Sequence, residues 1–458
     1  VYGFIIVISC FLQAMFGVVQ FFGFFQISTT LWVTGSFDNP AGFAACLCAG
    51  FPFVGFLLSD SNKYIRYVGG LIGFVIVIAV ILSQSRAGIM SIAFICFILL
   101  NMKFFHKRWV KYLSLLCFAL LLSGCYWMKK DSADGRLLIW RCSVSMVKDA
   151  PWLGHGIGSF EARYMDYQAD YFRQYGLNRY SMLADNVKHP FNEYLGVLLN
   201  FGFVGLLMIL ALITLLIYCY KKHPCAEKRI AFYSLISIGV FSFFSYTFTY
   251  PFTWIVTFLC IIILTKEYIA KVFTCPIIKN TVCIFILLCS FWGIYNLVKR
   301  VMAEKEWGNT SRLALCGASG KTLPAYAELE KKFENNPYFL YNYAAILLEN
   351  KQYEESLTVA LQCRKYWADY DLEILFGETY YAQEQYAKAI EHFQTAAYMC
   401  PAKFTPPYRM YRVYKEMERK EKADSLAREI LRKEIKIPSR EIDRIKTELM
   451  LEMDNKDS

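Results

Sequence analysis

Over about its first 300 residues the chain alternates long apolar runs with short polar joints. A helical run of roughly 18 or more apolar residues is long enough to cross the hydrocarbon of a bilayer. About nine such runs occur, near 3–25, 41–58, 67–83, 87–105, 110–128, 191–218, 230–249, 251–265 and 277–298. Pro251 and Pro276 stand where the eighth and ninth would begin, and a first helical turn tolerates the missing amide proton. From about residue 303 the runs stop and shorter amphipathic helices are expected. Phe376, Gly377, Tyr380, Ala389, Phe393, Ala396 and Pro401 follow the small-and-large register of a tetratricopeptide repeat. Ala344, Leu347, Ser356, Ala360 and Cys363 repeat that register 33 residues earlier, and Tyr411, Ala423 and Leu426 mark a weaker third copy. The predicted fold class is all-α: a polytopic transmembrane helix bundle over 1–300, then an α-solenoid repeat domain over 303–458. Stacked repeats form a groove that binds peptides or stabilises an assembly. From Arg432 onward the chain reads as one or two charged, solvent-exposed helices.

Apolar residues make up 56% of the sequence, well above a soluble domain. The net charge of +11 is distributed unevenly. Lys63 and Arg66, Lys103, Lys107, Arg108 and Lys111, Lys221, Lys222, Lys228 and Arg229, and Lys266, Lys271 and Lys279 crowd alternate joints. The other joints are nearly bare: 26–40 and 249–251 carry no Lys or Arg, and 84–86 carries only Arg86. By the positive-inside rule the crowded joints are cytoplasmic, so a long loop at 129–190 and everything after the ninth run lie outside the cytoplasm. Basic residues split between two membrane faces give no reason to invoke nucleic acid. Of the 16 cysteines most lie in apolar runs, where they act as small hydrophobes, and no CxxC pair occurs. Cys142, Cys316, Cys363 and Cys400 are exported and free to pair in more than one way. No metal or cofactor is expected. The chain opens on Val1 without the charged flank or cleavage site of a signal peptide, so further residues, with additional spans among them, are expected to precede it.

The loop at 129–190 is the feature that a simple bundle does not need. It holds Gly135-Arg136-Leu137-Leu138-Ile139-Trp140-Arg141 and Pro151-Trp152-Leu153-Gly154-His155-Gly156-Ile157-Gly158, and runs into His189-Pro190-Phe191-Asn192-Glu193. Long loops between packed elements are where function concentrates. Arg86, in Ser83-Gln84-Ser85-Arg86-Ala87-Gly88, sits between two apolar runs. It either snorkels to the interface or faces a cavity and grips a phosphate, whose oxygens a guanidinium matches with two parallel hydrogen bonds. Arg136 and Arg141 pose the same choice, the alternative being solvation or stacking on Trp140. On a continuous helix His189, Asn192 and Glu193 would share one face. A histidine there could take a proton from an acceptor hydroxyl, hydrogen-bond a leaving pyrophosphate, or simply cap the helix. His155 reads as structural, and Gly154, Gly156 and Gly158 alone are not a nucleotide fingerprint.

Taken together, Ser85 to Gly88, Gly135-Arg136 with Trp140, Pro151 to Gly156, and His189 to Gly205 resemble the O-antigen ligase and polymerase superfamily of bacterial envelope glycosyltransferases. Gly35-Ser36-Phe37-Asp38-Asn39-Pro40 is similar to the family's external Gly-Thr-Phe-Gly-Asn-Pro element, and the likeness covers roughly 30–250. The resemblance implies an inner-membrane enzyme that takes a glycan from a polyprenyl-diphosphate carrier and passes it to an acceptor hydroxyl in the periplasm, without nucleotide sugar or metal. It implies that Arg86 and Arg136, with Arg141, hold the diphosphate, that His189 is the candidate base, and that Asn192, Glu193 and Trp140 support them. The acceptor would be lipid A-core, a growing glycan (a polymerase) or an exported protein (an O-oligosaccharyltransferase); membrane lipids surround the bundle, and a protein partner could use the repeats. A non-catalytic transporter of lipid-linked glycan is the reading from another class. One departure stands out: Phe191-Asn192 occupies the place of the family's His-Asn, counted back from Gly202 and Gly205, and His189 lies two residues earlier. The repeats, on this reading, are a module whose removal would leave donor chemistry intact.

Overall fold

A computed structural model of the protein describes residues 2–24, 33–103, 108–272 and 276–457. Lys107 and part of the bare 26–40 joint lie outside the described residues. Every regular element among those described is helical. In chain order these are α1 (Tyr2–Phe21), α2 (Pro40–Gly50), α3 (Gly55–Leu58), α4 (Lys63–Leu82), α5 (Arg86–Lys103), α6 (Arg108–Met128), α7 (Lys130–Asp149), α8 (Ser159–Tyr175), α9 (Glu193–Lys222), α10 (Ala226–Ser242) and α11 (Pro251–Val272). There follow α12 (Pro276–Leu313), α13 (Ser319–Phe333), α14 (Pro337–Glu349), α15 (Tyr353–Arg364), α16 (Tyr370–Ala382), α17 (Tyr386–Met399), α18 (Thr405–Glu416), α19 (Lys420–Arg432) and α20 (Arg440–Asp457). The chain divides into two compact units, one of residues 1–133 with 189–281, the other of 134–188 with 282–458.

Among the described residues seven helices are long and apolar enough to cross a membrane, and the protein is multi-pass. Two of the expected runs form shorter or more polar helices, Arg86–Met102 and α10. In α10 the cause is visible. Ser234, Ser237 and Ser242 are buried on it, and the first two donate to the carbonyls of Ala49 and Cys48, each at 2.7 Å. Ser237 also meets Ser91 of α5 at 2.8 Å. Hydrogen bonds of this kind join helices where lipid supplies no hydrophobic drive between them.

The first unit is built around α2. The stretch Pro40–Leu58 is 72% buried, against 33% or less for the other candidate spans. Its small residues, Gly42, Ala44, Ala45, Cys46, Cys48, Ala49 and Gly50, let neighbouring backbones come close. The approach is tight: a Cβ on Gly50 would lie 2.1 Å from the Cys10 sulfur. In α9, Gly202 adopts φ +61° and ψ −158°, a combination open essentially to glycine alone, and it breaks the helix in two.

In the second unit, α14/α15, α16/α17 and α18/α19 are three consecutive helix hairpins with one turn. Lys351, Glu384 and Glu418 each take positive φ (62°, 61° and 56°). In each turn the next amide reaches back five residues: Gln352 to Leu347 at 3.0 Å, and Gln385 to Tyr380 and Arg419 to Tyr414 at 2.9 Å. That is the bonding of a Schellman cap, which satisfies carbonyls left open at a helix end. Gly377 allows the α16–α17 approach, since a Cβ there would meet the Phe393 ring at 2.4 Å. The tail departs from expectation: Ile445 and Leu449 of α20 are fully buried with Tyr411, Ala423 and Ile430. Its charges lie on one face while the other completes the third hairpin's core. The four cysteines expected outside the cytoplasm are free thiols; Cys142, Cys363 and Cys400 are buried and Cys316 is exposed.

Candidate active site

In the first unit, contacts tie three separated sequence elements together. Asn39 caps α2, its Oδ1 accepting from the Gly42 amide at 2.9 Å and from the Tyr250 hydroxyl at 2.9 Å. Phe37 lies edge-on to Tyr250 at 5.9 Å, and Tyr250 is 6.0 Å from Tyr246. Tyr246 in turn stacks on His189 at 4.5 Å and meets Phe191 at 5.4 Å. The 35–40 element and the histidine thus belong to one aromatic group. In the sequence Tyr246 falls within the apolar run 230–249 and Tyr250 in the bare joint after it; the signal that marks them is their spacing in an aromatic run just before Pro251.

The expected common face of His189, Asn192 and Glu193 does not form. Pro190 disfavours helical backbone at the residue before it, and Phe191 takes φ +53°, so the helix starts only at Glu193. Asn192 is its N-cap, accepting from the Leu195 amide at 3.0 Å, as short polar side chains do there. Glu193 accepts from the Phe248 amide at 2.8 Å, which anchors the 246–250 joint. His189 is half-buried and precedes the helix.

Arg86 opens α5 beside a second positive-φ residue, Gln84 at +52°. Its guanidinium donates to the Lys129 carbonyl at 3.1 Å and to the Ser132 hydroxyl at 2.9 Å. The Lys129 ammonium lies 3.5 Å from the Gln84 carbonyl. Two cations and a hydroxyl are therefore gathered at one turn, a donor set suited to phosphate oxygens. In the sequence nothing marks Lys129 and Ser132, which follow the end of an apolar run and match no motif. Behind the turn, Gly88 packs so that a Cβ would lie 2.9 Å from Ala44 Cβ and from Val80 Cγ1.

The 129–190 segment is mostly regular, contrary to the long loop expected. It forms α7 and α8 with a turn between them in which Gly154, Gly156 and Gly158 all take positive φ. Phe160, Tyr164, Met165, Gln168, Ala169 and Phe172 are buried along α8 at helical spacing, a pattern that was legible. His155 Nε2 is 2.8 Å from the Met146 carbonyl, which closes the turn onto α7. Arg136 and Trp140 are half-buried on α7. Arg141 stacks on Tyr171 and Tyr175, 5.3 and 5.4 Å from the ring centres, where Trp140 had been the expected partner. On α8 burial raises the carboxyls of Glu161 and Asp166, opposed by Lys188 and Arg364 respectively. Among the described residues no group of three or more His, Cys, Asp or Glu is placed to hold a metal ion.

No protein with a curated description matches the chain. Two solved structures are similar in part. MamA 41-end from Desulfovibrio magneticus RS-1 is 22% identical with a TM-score of 0.26, over 34% of this chain and 78% of that one. The MamA RS-1 ArsTM double mutant is 23% identical with a TM-score of 0.26, over 33% and 78%. Residues 70–210 match the family model described as O-antigen ligase. That stretch is narrower than the resemblance read from the motifs, but it holds Arg86, Lys129, Ser132, Arg136, Arg141, His189, Asn192 and Glu193. The match supports glycan transfer of the ligase or polymerase type by this multi-pass membrane protein.

Proposed function

We propose that the protein transfers a glycan from a polyprenyl-diphosphate carrier to an acceptor hydroxyl at the periplasmic face of the bacterial inner membrane. The observation that supports this most is the Arg86 turn, where the guanidinium donates to the Ser132 hydroxyl and the Lys129 carbonyl while the Lys129 ammonium lies by the Gln84 carbonyl, inside the stretch similar to O-antigen ligases. The acceptor oxygen attacks the anomeric carbon as the bond from that carbon to the diphosphate breaks. The diphosphate leaves with the electron pair, and the hydroxyl's proton passes to a base. Arg86 neutralises the leaving group, whose charge grows in the transition state; the resemblance assigns Arg136 the same task, and Arg141 binds the diphosphate with them. His189 is the base, held by its stack on Tyr246. Attack in one displacement inverts the anomeric centre. No step calls on a metal ion.

Residues 1–300 are the membrane domain of this reading, with the 129–190 segment external, and 303–458 a tetratricopeptide-like domain. A lipid A-core or glycan acceptor is the primary reading. A protein acceptor would call on the repeats for binding, and two of their groups, the Met399 carbonyl and the Arg364 guanidinium, are already bonded to α8. The deciding experiment supplies the purified protein in nanodiscs with a polyprenyl-diphosphate oligosaccharide and, separately, lipid A-core, a glycan and an unfolded exported protein. Glycan on the first or second supports the ligase or polymerase reading. Glycan on the protein alone moves the assignment to O-oligosaccharyl transfer. Donor consumed with none of the three modified, or donor untouched, overturns it.

A further inference from the structure

Residues 134–188 and the helical hairpins belong to one compact unit, and the bonds between them are specific. Gln168 of α8 is fully buried with both ends of its amide engaged: Oε1 accepts from the Tyr164 hydroxyl at 2.7 Å, and Nε2 donates to the Met399 carbonyl at 2.6 Å and the Asp185 carbonyl at 3.1 Å. Two residues before it, Asp166 accepts from Arg364 of α15 at 2.5 Å; that guanidinium lies 3.4 Å from Glu373 of α16, which is 2.7 Å from His392 of α17. The Glu161 carbonyl accepts from the Ala368 amide at 2.9 Å. Beyond α8, Asn186 donates to Asp369 at 2.7 Å, Lys188 lies over the Tyr338 ring at 4.4 Å, and Asp185 is 3.3 Å from Lys436. These partners come from the first two hairpins and from the segment after the third.

We infer that the partner of the helical hairpins is this chain's own α8, and that Gln168, Asp166 and Arg364 are positioning residues which hold the α7–α8 segment carrying Arg136 and Arg141. The inference rests on the proposed function for what those arginines do, though not for the clasp itself. The contacts are of the kind a repeat domain makes with a bound helix: an apolar stripe (Phe160, Tyr164, Phe172) framed by charge pairs and main-chain bonds. A buried amide with both ends bonded is a demanding contact. Cutting it leaves the Met399 carbonyl and the Tyr164 hydroxyl without their partner in a site closed to water. The clasp also explains why α7, with only modest apolar content, is ordered: α8 is pinned on one side and carries Tyr171 and Tyr175 against Arg141 on the other. Removing the hairpins would therefore not spare the external segment.

The test uses the full-length protein in detergent or nanodiscs, with amide hydrogen exchange followed by mass spectrometry and glycan transfer measured in parallel. Gln168→Ala, and Asp166→Ala and Arg364→Ala singly and together, are the variants. Exchange in peptides covering 134–188 is expected to rise at least about tenfold in each single variant, while 386–399 stays as protected as in the wild type. The Asp166→Ala, Arg364→Ala pair is expected to cost less than the sum of its singles, because the two share one contact. Transfer is expected to fall with exchange, and mainly in kcat. Wild-type protection of α8 in Gln168→Ala and Arg364→Ala overturns the clasp. Loosened α8 with undiminished transfer overturns the positioning role and leaves the clasp standing. A wild-type protein with no transfer at all defeats the functional reading, and the exchange result still decides the clasp.

Discussion

The imidazole of His189 stacks on the ring of Tyr246, with centroids 4.5 Å apart and planes inclined by 26°. The two residues lie on opposite sides of a spanning helix and its neighbour in sequence, yet this stack and the Tyr250–Asn39 bond unite the 35–40 element with the histidine. His189→Ala is expected to lower turnover by roughly a hundredfold or more if the imidazole accepts the acceptor's proton. Tyr246→Leu should cost less, lowering kcat with KM little changed, because it frees the ring without removing the base. Steady-state transfer by both variants decides this. Equal rates for wild type and His189→Ala would send the search for a base elsewhere, since Glu193 already holds the Phe248 amide.

Arg86 offers a sharper test. Its guanidinium reaches the Lys129 carbonyl and the Ser132 hydroxyl at once. Lysine carries the charge but cannot reproduce a two-pronged planar contact. Arg86→Ala and Arg86→Lys should both insert normally and lose most transfer, and Lys129→Ala should raise KM for the donor several-fold. Transfer normalised to protein abundance is the readout. A fully active Arg86→Lys would reduce the site to a simple charge requirement.

Gly202 sits where no other residue fits. At φ +61° and ψ −158° any side chain is strained by about 1–3 kcal/mol. Gly202→Ala should lower the melting temperature of the purified protein or straighten α9. Gly196→Ala is the control: its Cβ would lie 3.6 Å from Pro190 Cγ, an ordinary contact, and alanine favours a helix over glycine. Equal melting of the two variants would show that the break in α9 is not enforced by glycine.

Asp369 gives a pH dependence with a definite sign. Burial raises its carboxyl to about 6, although Asn186 and the Asp371 amide both donate to it. The folded chain keeps a proton that the unfolded chain, near about 3.9, has already lost. Its contribution is therefore whole below about pH 4, falls as pH rises to about 6, and is flat beyond. Asparagine can still cap α16 and cannot ionise. Asp369→Asn should thus melt higher than wild type at pH 7 and converge with it at pH 4. Thermal melts across that range check it; parallel curves at every pH would assign the slope to other buried acids such as Asp166.

The spans were legible in the sequence because a bilayer demands about twenty consecutive apolar residues, a local property of the chain. The repeat register was legible for a related reason. Small residues such as Gly377 and Ala389 must recur where two helices touch, and Gly377 faces Phe393 so closely that nothing larger fits. Local pattern also carries the helical spacing of Phe160, Tyr164 and Phe172, although their segment is dense in the Gly, Trp and Arg of a loop. The backbone turns at Gln84 and Phe191, with positive φ on ordinary side chains, had no such trace, because tertiary contacts hold residues in conformations that their own preferences disfavour. What no local pattern could decide is which surface each polar side chain meets. Gln168 and Met399 are separated by 231 residues, and Asn39 and Tyr250 by 211. An amide or a hydroxyl does not encode its distant partner; it is satisfied only once the apolar faces have packed and excluded water around it. The helical character of most elements and the apolar spacing along them were therefore written in the sequence, while the grouping of Arg86 with Lys129 and Ser132, of His189 with Tyr246, and of α8 with the hairpins was settled by the tertiary structure.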